Sequence, residues 1–152
     1  MKKLNALAVL YFLATTCFVP HASSQSTDDA LKRMVISEGS GASAAIMTAL
    51  DGEKADVLVF AIHNPSWARK SEAVEAISKL PAAKRDHALV EILNERGLWE
   101  NRIKGGRGQM MQDNFEDKFK KILANRLGSN VTQLDLFDGA IRAKLSSALQ
   151  SG

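Results

Sequence analysis

Residues 64–97 read NPSWARKSEAVEAISKLPAAKRDHALVEILNERG, and this stretch decides the fold of the chain. Asn64 followed by Pro65 is typical of a helix start, because asparagine caps free amide groups and proline fits the first helical position. Pro81 predicts the end of this helix and the start of a second one. Gly97 predicts the end of the second helix, because glycine readily adopts the left-handed conformation of a C-terminal cap. The stretch therefore predicts two helices joined by a short turn.

Each predicted helix has one apolar face at the spacing that a helix produces. The apolar positions are Ala73, Val74, Ile77 and Leu80 in the first helix, and Ala88, Leu89, Ile92 and Leu93 in the second. Charged side chains fall largely on the other faces, so we expect both helices to bury one side. The pair resembles one helical hairpin of the HEAT type, although the sequence shows no repeated period.

The remaining segments also show helical patterns. Residues 43–50 are alanine-rich and predict a short helix, whereas three glycines within 105–108 predict a break. Capping boxes predict three further helix starts: Ser26 with Asp29, Asp113 with Glu116, and Thr132 with Asp135. We therefore expect an all-α fold, either a small orthogonal helical bundle or a HEAT-like helical array, with five to seven helices.

Residues 57–62 (VLVFAI) are a continuous apolar run that suits either a buried strand or a buried helix. No second strand-like run is available to pair with this segment. A single strand would leave its backbone amide and carbonyl groups without hydrogen-bond partners. We therefore predict a buried central helix at these residues.

The N-terminus has the three parts of a secretory signal peptide. Two lysines precede the apolar run 4–19, Pro20 ends the run, and Ala22-Ser23-Ser24 provides small residues for cleavage. The run is shorter than the roughly 20 residues of a membrane-spanning helix. We therefore predict a signal peptide over residues 1–24 and a single all-helical domain over residues 25–152. The expected location is secreted or periplasmic, without a membrane span after cleavage.

Cleavage would change the charge and the cysteine content of the chain. The full chain has 20 Lys and Arg residues against 17 Asp and Glu residues, and the predicted signal peptide contains two of these lysines and no acid. The mature net charge of +1 therefore gives no reason to expect a nucleic-acid partner. The only cysteine, Cys17, would also be removed, which excludes disulfides and thiol catalysis. Lipidation at Cys17 is the alternative, although threonine precedes it where lipoproteins have a small residue.

His87, Glu91 and Glu95 have the residue types of a catalytic or metal site. A helix would place these residues along one face, because they are spaced by four. Histidine and carboxylates in that arrangement bind a metal or act as acid and base, which would suit a hydrolase. An ordinary solvent-exposed helix edge gives the same pattern. We therefore assign no catalytic residue, metal or cofactor, and we treat the three side chains as binding candidates.

Residues 101–126 contain seven basic side chains against three acidic ones, whereas residues 27–64 contain six acidic against three basic ones. Arg102, Lys104, Arg107 and Lys121 lie around the glycine-rich segment, where backbone amides would suit an anion. This pattern favours an alternative function as an anionic-polymer binder through residues 102–121. The Gly-Lys-Ser/Thr ending of a P-loop is absent, and a charged surface loop without a ligand gives the same pattern.

Trp67 and Trp99 flank the predicted pair of helices. Tryptophan is enriched at binding hot spots and also serves as a core residue. The chain therefore combines an export signal, a helical core and two candidate anchors with no convincing catalytic set. We expect an exported protein that acts by binding another protein, as a periplasmic adaptor, an inhibitor, an immunity-type protein or a secreted effector.

Overall fold

The computed structural model describes residues 22–152. Within this range the chain forms eight α-helices and two 3-10 helices, without a strand. The α-helices are α1 (Ala22–Val35), α2 (Gly41–Asp51), α3 (Ala55–Phe60), α4 (Trp67–Ser78), α5 (Ala82–Asn94), α6 (Arg96–Trp99), α7 (Gly106–Leu127) and α8 (Gly139–Gln150). The 3-10 helices are Ala61–His63 and Ser129–Gln133. The predicted all-α class is confirmed.

The predicted signal peptide stays a prediction, because residues 1–21 lie outside the described part of the chain. α1 begins at Ala22, so Ser26 lies inside this helix and does not cap its start. Among the helices that the structure describes, none has the length and apolar character that crossing a membrane requires.

The predicted helix at residues 57–62 is confirmed. These residues belong to α3 and to the 3-10 helix Ala61–His63 that follows it directly. Val57 and Leu58 are fully buried, and Ala61 and Ile62 are buried as well. A helix satisfies its own backbone groups in this apolar position, which a single strand would not do.

α4 begins at Trp67 rather than at Pro65, because Asn64 has a different role from the one that the sequence predicts. Its side-chain oxygen accepts a hydrogen bond from the Ser66 amide at 2.8 Å. Its side-chain nitrogen donates to the backbone oxygens of Val35 at 2.7 Å and Ser37 at 3.0 Å. The fully buried Asn64 therefore joins the end of α1 to the start of α4.

Two other predicted helix boundaries are wrong for local reasons. α5 ends earlier than predicted because Glu95 has extended backbone angles, and Gly97 then lies inside α6. α8 begins after Asp138, whose carboxylate accepts a hydrogen bond from the Ala140 amide at 2.8 Å. Thr132 lies in a 3-10 helix instead of capping α8.

α7 begins at Gly106, seven residues before the predicted start at Asp113. Gly105 and Gly106 have φ angles of 81° and 70°, which only glycine adopts without strain, and they turn the chain into the helix. A Cβ atom on Gly108 would lie 3.3 Å from Ile103 Cγ2, so this glycine lets the preceding loop pack closely against the first turn. The glycines therefore start α7 rather than interrupt it.

The two main helices of residues 64–97, α4 and α5, pack against different helices. α4 packs mainly against α7, and α5 packs mainly against α8, while α4 and α5 contact each other little. All eight positions of the two predicted apolar faces are buried. This packing favours the bundle over a stack of hairpins.

An aromatic cluster forms the centre of the contact between α4, α6 and α7. The Trp99 ring lies 5.6 Å from Phe119, 5.7 Å from Phe137 and 6.0 Å from Phe115, measured between centroids. Trp67 packs edge-on against Phe115 at 5.5 Å. Each such pair adds about 1 kcal/mol beyond the burial of its area, so the cluster fixes α4 and α6 on α7.

Candidate functional site

The structure does not bring the predicted set of His87, Glu91 and Glu95 together. His87 Nε2 lies 3.9 Å from Asp56 Oδ1, whereas Glu95 Oε2 lies 3.7 Å from His63 Nε2. Glu91 is exposed on α5. Glu95 leaves the helical spacing because its backbone is extended beyond the end of α5, whereas His87 and Glu91 both lie on α5. Within residues 22–152 no group of three His, Cys, Asp or Glu side chains is arranged to hold a metal ion.

Glu95 belongs instead to a small polar cluster with His63, Lys70 and Trp67. The Lys70 ammonium donates to the backbone oxygen of Ile62 at 2.9 Å and lies 4.8 Å from the Trp67 ring centroid. Burial lowers the pKa of Lys70 below its usual 10.5, and the charge of Glu95 opposes this shift. Sequence reasoning missed His63 and Lys70, because no spacing relates side chains that meet across separate helices.

Trp99, a predicted binding residue, lies in the core. Its side chain is 3 % exposed, and its indole N–H donates to the backbone oxygen of Ile92 at 2.8 Å. A buried indole whose donor is satisfied anchors the interior and offers no surface to a partner. The predicted surface role of Trp99 is therefore replaced by a role in packing. Trp67 is half-buried and keeps part of its ring at the surface.

Arg102, a predicted anion contact, is bound within the protein. Its guanidinium lies 3.3 Å from Glu116 Oε2 and 2.8 Å from Asp135 Oδ1, and it covers the Phe137 ring at 4.0 Å. The buried Glu116 also accepts from Lys120 Nζ at 2.8 Å. These contacts tie the segment before α7 to α7 itself and to the segment before α8.

Two backbone amides at the glycine-rich segment also have partners within the protein. The Gly105 amide donates to Gln109 Oε1 and the Ile103 amide donates to Gln112 Oε1, both at 2.7 Å. Gln112 is buried and donates in turn to the Asn101 backbone oxygen at 3.0 Å. These two amides are therefore not available to an anion, in contrast to what the sequence pattern suggests.

Lys104, Arg107 and Lys121 are exposed and have no ion pair within the described residues. Arg107 and Lys121 both lie on α7, 14 positions apart, which corresponds to about 21 Å along the helix axis. Because of this distance they do not converge on one small anion. Lys121 is therefore separate from Arg107 on the surface.

An open groove with apolar residues at its base lies between α2 and α4. It has a volume of about 250 Å³. The groove, called the α2–α4 groove below, is lined by Ser43, Ile46, Met47 and Leu50 from α2 and by Glu72, Glu75, Ala76 and Lys79 from α4. Ile46 and Ala76 are buried beneath it, whereas Met47 is 52 % exposed. The floor of the groove is therefore apolar, and Met47 is the exposed apolar side chain beside it.

Internal hydrogen bonds hold the polar side of the groove in place. Ser43 Oγ donates to Glu72 Oε2 at 2.6 Å and accepts from the Arg69 guanidinium, which also lies 2.5 Å from Glu72 Oε1. Glu75 Oε2 lies 3.2 Å from Lys118 Nζ. Both acidic side chains of the groove are therefore neutralised by the protein itself.

Sequence reasoning missed this groove, although one signal for it exists. The inward face of α2 consists of Ala42, Ala45, Ile46 and Ala49. Met47 is a large apolar residue outside that face, and an exposed methionine in a helix of alanines is a sign of a contact surface. The position of α4 beside it comes only from the fold.

Comparison with known proteins does not extend this description. No protein-family model matches the chain, and no curated protein or solved structure matches it either.

Proposed function

We propose that the chain is exported and acts by binding another protein at the α2–α4 groove. The exposed Met47 is the observation that carries this proposal. Its side chain lies beside the buried Ile46 in an open groove, where the long, flexible thioether can adapt to a partner surface. An apolar centre with charged residues at the margin is the usual arrangement of a protein–protein interface.

The arrangement of the other candidate residues supports binding over catalysis. His87 and Glu95 each lie beside a different residue, so these contacts give no support to a His87–Glu95 acid–base pair. Arg102 and the amides of Ile103 and Gly105 have internal partners. The α2–α4 groove, in contrast, leaves an apolar surface open to solvent.

Export is supported by the sequence of residues 1–24, which has the charged, apolar and small-residue parts of a signal peptide. A periplasmic or secreted protein of this kind would serve as an adaptor, an inhibitor, an immunity-type protein or an effector. Each of these roles requires a stable scaffold and one binding surface, which the bundle and its groove provide.

Affinity purification of two matched variants tests the proposal. Met47→Lys places a charge in the groove, and Met110→Lys places the same charge on α7, where Met110 is 63 % exposed. We expect Met47→Lys to reduce the recovered partner by about tenfold, because burying an unpaired charge in an interface is costly, and Met110→Lys to leave recovery unchanged. The tagged proteins are recovered from the exported fraction and analysed by mass spectrometry.

Both variants should keep the melting temperature of the wild-type protein, since both methionines are exposed. The same mass spectra should show Gln25 as the N-terminal residue. Equal partner recovery from the two variants would contradict binding at the groove, and an N-terminus that retains residues 4–19 would contradict export through a cleaved signal peptide.

A further inference from the structure

We propose that the occupant of the α2–α4 groove is an amphipathic helix of the partner that carries an acidic residue opposite Lys79. This inference rests on the proposed function and adds the chemistry of the partner. It follows from the spacing of the lining residues and from the charges that the protein itself leaves unpaired.

The lining residues of the groove have the spacing of two helix ridges. On α2 they are residues 43, 46, 47 and 50, and on α4 they are residues 72, 75, 76 and 79, so each wall follows the pattern i, i+3, i+4, i+7. Two adjacent helices with such faces leave a groove that a third helix fills with its own side-chain ridge. Each wall is about 10 Å long, which matches two turns of a bound helix. The geometry therefore favours a helix over an extended segment.

The charges around the groove define what the bound helix must carry. Glu72 is paired with Arg69 and Glu75 with Lys118. Lys79 is exposed at the end of α4 and has no ion pair among the described residues. A basic residue of the partner would compete with internal pairs, whereas an acidic residue would complete a pair that is now open. The groove therefore selects a carboxylate near Lys79.

Two synthetic peptides test this inference. Each is added to the mature protein, residues 25–152, with its native sequence. Both have about 15 residues and share leucines at i, i+3, i+4 and i+7, a length at which helices begin to form in water. They differ at two flanking positions, which are glutamate in one peptide and lysine in the other. Binding is followed by NMR of the methionine methyl groups, with Met110 as the internal control.

The glutamate peptide should shift the Met47 methyl signal and leave the Met110 signal in place. We expect it to bind about fivefold more tightly than the lysine peptide, which is the upper range for one exposed ion pair. Lys79→Glu should reverse the order of the two peptides. Lys121→Glu should leave the order unchanged, because Lys121 is also exposed but lies on α7 and does not line the groove.

Three results would overturn the inference: no Met47 shift with either peptide, equal shifts at Met47 and Met110, or an unchanged order after Lys79→Glu. These failures are distinguishable from failure of the proposed function. If Met47→Lys still reduces partner recovery while neither peptide binds, the protein-binding proposal stands and the partner chemistry is wrong. If Met47→Lys also leaves recovery unchanged, both proposals are wrong.

Discussion

At the scale of one residue, Lys70 has a lowered pKa that results from its burial in a structural contact. Its aliphatic part and ammonium lie between Trp67 and the end of the 3-10 helix Ala61–His63, where the ammonium donates to the Ile62 oxygen. Desolvation lowers its pKa, and Glu95 only partly opposes this effect. A lysine with a lowered pKa is often read as reactive, but here it holds two helices together.

The lowered pKa predicts how stability depends on pH. As pH rises toward 10.5, the usual pKa of lysine, the folded protein loses the Lys70 proton before the unfolded chain does. The unfolded state then binds more protons, so the free energy of unfolding of the wild-type protein should rise relative to that of Lys70→Met. Urea denaturation of both proteins at neutral pH and at pH values approaching 10.5 measures this difference.

Lys121→Met is the control for this measurement, because Lys121 is exposed and makes no ion pair within the described residues. Its difference from the wild-type protein should stay constant with pH. A constant difference for Lys70→Met as well would contradict the burial of the Lys70 ammonium.

At the scale of elements, Asn64 is the main connection between α1 and α4. Its amide nitrogen donates to the backbone oxygens of Val35 and Ser37, and its oxygen accepts from the Ser66 amide. Asn64→Ala would remove the partner of the Val35 and Ser37 oxygens and of the Ser66 amide, and Val35 is buried. We expect a loss of about 3 kcal/mol in the free energy of unfolding, since each unsatisfied group costs about 1–3 kcal/mol.

Asn114→Ala provides the matched control for Asn64→Ala, because Asn114 is exposed on α7. It should change the free energy of unfolding by less than about 0.5 kcal/mol. Urea denaturation monitored by circular dichroism gives both values. Equal effects of the two substitutions would show that Asn64 does not join α1 to α4.

The elements that the sequence predicts well are those whose signal is local. Residues 73–80 and 88–93 carry helical stripes, and every predicted apolar position in them is buried. Helix boundaries are harder to predict from the sequence, since they depend on contacts with residues outside the helix. Asn64 looked like a cap but binds residues 29 and 27 positions away. Gly108 looked like a break but lies where the chain must approach Ile103.

At the scale of the whole molecule, the sequence predicted the all-α class but not the pairing of its helices. Nothing in residues 64–97 shows that α4 packs on α7 and α5 on α8. The α2–α4 groove depends on the same pairing, so its residues were absent from the predicted sites. Residue type alone marks His87, Glu95 and Arg102 as candidates, whereas the fold places each of them beside another residue of the protein.

Site-specific photocrosslinking in the exported compartment is the most direct test of binding at the α2–α4 groove. A photoreactive amino acid replaces Met47 in one protein and Met110 in another, since both side chains are exposed on helices. We predict that position 47 forms a crosslink to a second polypeptide, and that the crosslinked segment is an amphipathic helix with an acidic residue. Position 110 should form no such product. The same product from both positions, or none from position 47, would contradict the groove as the binding surface.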